Sequence, residues 1–168
     1  TDMSFSVANG IGAIMYQQRQ LGGMATGVVE GYSTPMASSS SWVTEWRSTS
    51  NWVSMRGIAF WSFEWAFLVV GVTDGSVDGQ LSRGGYDTFF SLIGTNGNKH
   101  FTRFFGGPGH DETLSILLRP AGGFQTAYFL GTAEFTPEVG PSPTQALITT
   151  LCPSGTTSIG KEEGCEQY

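Results

Sequence analysis

The stretch that most limits how this chain can fold is residues 52–72, WVSMRGIAFWSFEWAFLVVGV. Every second residue from Val53 is apolar or glycine: Val53, Met55, Gly57, Ala59, Trp61, Phe63, Trp65, Phe67 and Val69. The opposite register begins with Trp52, Ser54 and Arg56 and later carries Ser62 and Glu64. Successive strand side chains point to opposite faces, so this period of two predicts a strand with one buried and one partly wet face. Trp61, Phe63 and Trp65 each bring about 150–250 Å² of area to bury, enough to dominate a local core. The stretch is expected to be the central strand, or two strands broken near Gly57.

The rest of the composition agrees with strands. Charged residues make up only 13% of the 168 positions, about half the usual share of roughly 25%. Their place is taken by 24 glycines, by hydroxyl residues and by aromatics, a palette of strands and tight turns. Length alone allows one domain with a substantial core. Fourteen acidic against eight basic residues argue against a phosphate-tracking surface, so nucleic acid is not expected as a partner. No basic run marks an anionic membrane, and the apolar run at residues 58–72 is interrupted and shorter than the ~20 residues of a spanning helix. With no opening Met and no signal segment, the chain reads as a processed product or an excised domain.

Along the chain, alternation predicts strands at residues 2–8, 24–32, 41–47, 86–93, 99–105, 113–119, 124–130 and 145–151, with 13–20 open between strand and short helix. Asn96-Gly97 is the clearest hairpin signal and is expected to form a type I′ turn. No internal repeat is evident in the residues. The expected fold is all-β: a single-domain antiparallel β-sandwich, or jelly-roll-like barrel, of about 8–10 short strands over residues 1–151. Residues 152–168 read as a C-terminal tail. Cys152 and Cys165 are the only cysteines, and their spacing leaves open whether a disulfide closes that tail.

Two kinds of site stand out. Asp74, Ser76 and Asp78 in DGSVDG place oxygens at positions one, three and five before a glycine, as at the start of a calcium loop. Gly85 stands where an EF-hand carries its bidentate Glu, so calcium is a candidate cofactor on these ligands alone, against an ordinary Asx-rich turn. For binding, Trp42, Trp46 and Trp52 are candidate exposed rings, and His110 with Asp111 lies in a polar cluster after a GGPG break. No catalytic residue is assigned. Glu64 is the best single carboxylate for a glycosidase, but no partner acid stands out and an outer-face position beside Arg56 or Arg47 is the simpler expectation.

Compact, acidic, rich in Gly, Ser and Thr, and built on an aromatic core, the chain resembles a surface-projecting domain of a non-enveloped virus capsid. That resemblance implies a non-enzymatic module that self-associates and attaches to a host-surface glycan or receptor. The loops at residues 33–41, 73–85 and 106–112 would be the contact surfaces. A secreted carbohydrate-binding module or lectin of the same architecture is the alternative, and a glycoside hydrolase the third.

Overall fold

The computed structural model describes residues 3–8, 10–19, 25–34, 38–50, 52–62, 64–121, 124–134, 144–151 and 157–159. The cysteines and the disulfide question lie outside these residues. The described chain is all-β, with antiparallel strands in three four-stranded sheets. The first sheet holds β1 (Met3–Ala8), β2 (Ile11–Arg19), β3 (Ala25–Tyr32) and β4 (Trp42–Trp46). The second holds β5 (Ser54–Trp61), β6 (Ala66–Thr73), β7 (Asp87–Gly94) and β8 (Lys99–Phe105). The third holds β9 (Asp111–Ala121), β10 (Phe124–Glu134), β11 (Thr144–Leu151) and β12 (Thr157–Ile159).

The antiparallel sandwich expected from alternation is therefore present, in three layers and with twelve strands. Each sheet is an up-and-down meander whose strands lie side by side in chain order. The same unit thus recurs three times, although the residues carry no visible repeat. Residues 157–159, within the expected tail, supply the fourth strand of the third sheet, paired with β11. The ambiguous segment is strand as far as Arg19, the last of its described residues, with Ala13 and Met15 in the core on one face.

The second sheet is the middle layer, buried on both faces. Phe67 and Val69 of β6, with Phe89 and Ile93 of β7, pack against Ala13, Met15, Val29 and Trp46 of the first sheet. The intervening residues Leu68, Val70, Phe90 and Leu92 pack against Ala127 and Phe129 of the third. This explains why β6 and β7 read as continuous apolar runs, since a strand covered on both sides has no wet face.

Residues 52–72 form two strands, but the break is at the turn of residues 62–65, where Trp65 N–H donates to Ser62 O. Near Gly57 there is a register shift within β5, between Met55 and Gly57. The extra residue reverses the alternation. Val53, Met55, Ile58 and Phe60 face the first sheet, while Trp61 faces the third. Trp65, expected inside, is exposed at the turn with φ +48°.

The first strands of the sheets lie close together. β5 runs against β1 on one side and β9 on the other, and each crosses the preceding sheet diagonally. At the crossing of β9 over β5, a Cβ on Gly57 would come within 2.8 Å of Ile116 Cγ2, so glycine is what permits the approach.

Candidate functional site

The residues with most chemistry collect where the loop at 83–86 meets the loop at 106–110. The meeting is built from backbone: Gly85 N–H donates to Gly109 O at 2.9 Å and Asp111 N–H to Tyr86 O at 2.6 Å. Two glycines make this possible. A Cβ on Gly84 would crowd the Pro108 backbone, and one on Gly85 would run into the His110 ring.

Around this seam three rings stand in a row. Tyr86 lies 5.0 Å from Trp52 on one side and 5.0 Å from His110 on the other, with tilted planes. His110 Nδ1 accepts the Tyr86 N–H at 3.0 Å, which fixes the imidazole and, when it is neutral, places its proton on Nε2. Tyr86 is 41% exposed, His110 is exposed and Trp52 is half-buried, so the row lies at the surface. Arg56 and Glu112 form an ion pair across the neighbouring β5–β9 junction.

Beneath the seam lie two buried carboxylates. Asp111 Oδ2 accepts the Gly107 N–H at 2.6 Å, and Asp87 Oδ2 accepts the N–H groups of Arg83 and Gly84. Asp87 Oδ1 is buried with no hydrogen-bond partner among the described residues. Both acids close on Gly106, where a Cβ would overlap Asp87 Oδ1 and come within 3.0 Å of Asp111 Oδ2. Burial raises the Asp87 carboxyl above the ordinary range, and the nearby Asp111 charge adds to the rise. The two backbone bonds pull the other way.

A group held more tightly protonated in the fold than in the unfolded chain makes stability fall as pH rises. The fall begins near the ordinary Asp value of about 3.9 and ends above the raised native value. Asp87→Asn keeps an acceptor for the two N–H groups and removes the charge. It is expected to abolish that slope and to raise stability at pH 7 relative to pH 4, measured by urea unfolding at both. A retained slope would assign the dependence to another group.

The sequence-derived candidates separate on this structure. Trp52, His110 and Asp111 come together at the seam, although Asp111 points inward and His110 outward, as neighbours at a strand start must. Tyr86 was not singled out, because its position between the other two rings depends on long-range loop pairing. Trp46 is no exposed platform: it is fully buried between the first two sheets. Trp42 packs against the same core, with its indole N–H donating to Thr95 O at 2.7 Å. Alternation explains both, since Trp42, Thr44 and Trp46 share the inward face of β4.

DGSVDG is occupied by turn chemistry. Val77 and Gln80 exchange backbone bonds of 3.1 and 2.9 Å around Asp78 (φ +51°) and Gly79 (φ +76°). This is the positive-φ pair expected at Asn96-Gly97, where only Gly97 takes positive φ. Asp78 then lies against Lys99, at 2.7 and 2.8 Å, and accepts Thr102 Oγ1–H at 2.6 Å. Asp74 is exposed, Ser76 half-buried, and the Ser76 N–H donates to Thr49 Oγ1. Among the described residues no group of three or more His, Cys, Asp and Glu is placed to hold a metal. Glu64 is exposed in the β5–β6 turn, while Arg56 and Arg47 pair with Glu112 and Glu45. In comparisons with known proteins, no family model matches the chain and no curated protein matches it.

Proposed function

We propose that this protein is a non-enzymatic binding module that meets its partner through the Trp52–Tyr86–His110 row. The observation that carries this reading is the exposed Tyr86 ring, held 5.0 Å from a ring on each side on a backbone-bonded seam. Such a row offers apolar ring surface beside polar edges, which suits the axial C–H face of a sugar ring. The sequence-derived form of this reading is a protruding domain of a non-enveloped capsid, in which the row meets a host-surface glycan. A secreted carbohydrate-binding module would use the same surface, and the aromatic row favours a sugar ligand under either reading.

The test is glycan-array binding followed by titration of the best glycan. Tyr86→Ala and Trp52→Ala are each expected to weaken binding tenfold or more, about 1.4 kcal/mol. Wild-type protein that binds no glycan, or variants that bind as wild type does, would refute the reading.

A further inference from the structure

The two end sheets of the stack each have an outer face, and these faces hold most of the exposed large apolar side chains. Of nine such residues among those described, six are there: Phe5, Val7 and Val43 on the first sheet, and Leu114, Leu117 and Leu130 on the third. Cross-strand register confirms the grouping. Phe5, Ile14, Glu30 and Val43 lie in one row across β1–β4. In the third sheet the inward Phe129 and Ile116 are paired, as are the inward Ala127 and Leu118, which turns Leu117 and Leu130 outward.

Glu30 and Glu45 on the first sheet's outer face already have partners. The Glu30 carboxylate accepts the Tyr16 hydroxyl at 2.6 Å and the Tyr32 hydroxyl at 2.8 Å, and the Tyr16 phenol is pushed up to about 12 by that bond. Glu45 is paired with Arg47. A face whose carboxylates carry their own partners can be covered by apolar surface at lower desolvation cost. It also holds a groove of about 470 Å³ lined by Phe5, Val7, Ile14 and Tyr32, facing a partner class with projecting side chains. The third sheet's outer face supplies projecting leucines, with Leu117 64% exposed. Arg119, exposed beyond them on the same face, has the sign opposite to Glu30, whose partners are neutral hydroxyls.

These two faces continue a series of interfaces already formed twice within the chain. Each internal junction joins the leading face of one meander to the trailing face of the next, with the first strands β1, β5 and β9 adjacent. Among the described residues, the first sheet's trailing face and the third sheet's leading face are the halves of that junction with no sheet against them. Four-stranded meanders stacked in this way form closed propellers of typically four to eight sheets, a range that includes six. A head-to-tail contact closes a ring when its rotation allows.

We propose that two copies of this chain associate head to tail, the first sheet of each on the third sheet of the other, as a closed two-fold ring of six sheets. The proposal is independent of the aromatic row, so Tyr86→Ala is expected to leave assembly unchanged.

Sedimentation equilibrium of the intact chain at 1–100 µM tests it. The expected species has twice the 18.0 kDa chain mass. Phe5→Glu and Leu117→Glu, both at exposed positions, are each expected to shift the mass to one chain while far-UV circular dichroism is unchanged. Mixing the two variants restores one intact junction per pair, so dimer is expected to reappear. A single 18.0 kDa species at every concentration overturns the proposal, and so does an open series of larger oligomers. Dissociation by only one of the two variants would mean a face-to-same-face dimer and also overturns it. If a glutamate variant loses its dichroism, Val43→Lys and Leu130→Lys serve as the same pair.

Discussion

Trp46→Ala is expected to destabilise the fold by about 3–5 kcal/mol, the range for truncating a large buried aromatic ring. Trp46 is 0% exposed and fills the space between the first and second sheets. Its polar edge begins a hydrogen-bonded chain that runs to the surface. Trp46 Nε1–H donates to Ser91 Oγ at 2.7 Å, and Ser91 Oγ lies 2.7 Å from Thr102 Oγ1. Thr102 gives its proton to the Asp78 carboxylate, which can only accept when ionised, so Ser91 must donate to Thr102. Lys99 closes the chain by pairing with Asp78 and placing its ammonium 4.6 Å from the centre of the Trp46 ring. Trp46→Phe keeps most of the volume but ends the chain at Ser91, and about 1–2 kcal/mol is the expected cost. Urea unfolding of both variants gives the two values. A loss under 1 kcal/mol for Trp46→Ala would mean that the first sheet is not anchored at this ring.

How far the sequence carried the reading follows from which forces are local. Most strands of the three sheets follow from alternation and turn residues, because side-chain period and backbone φ preferences act within a few positions. The same signals leave β2 open between strand and helix, point to Gly57 for the β5–β6 break, and leave β12 within the tail. The number of layers does not follow. An apolar run such as residues 66–73 is compatible with any strand covered on both sides, and nothing in its residues says what covers it. The bulge between Met55 and Gly57 had a similar effect: one inserted residue sent Trp61 to the opposite core from Val53 and Met55, with which it shares the odd-numbered register. At the candidate site, Trp52, His110 and Asp111 were legible as residues with chemistry. Tyr86 was not, because the pairing of loops 83–86 and 109–111 brings it there. In DGSVDG the spacing shows the oxygens but not that Lys99 and Thr102, more than twenty residues away, meet Asp78.

Gly31→Val is the second large effect, with an expected cost of about 3 kcal/mol, the upper end for overpacking a core site. A Cβ on Gly31 would fall inside the Trp42 indole, against Cε2 and Cζ2, so the ring lies flat over the β3 backbone. The ring cannot slide aside at low cost. Its N–H is bonded to Thr95 O, its face meets Phe67 at 6.2 Å, and Gly97 at φ +84° crowds its other edge. Those contacts tie β4, the outer edge of the first sheet, to the β7–β8 hairpin, and Thr44 Oγ1–H adds a bond to Gly97 O at 2.6 Å. Two strongly coupled residues are not additive, so a double-mutant cycle with Trp42→Leu separates the clash from general damage. In the leucine background the Gly31→Val cost is expected to shrink to less than half. An unchanged cost there would mean that valine harms β3 itself, through its pairing with β2 and β4, and that Trp42 is not what requires glycine at position 31.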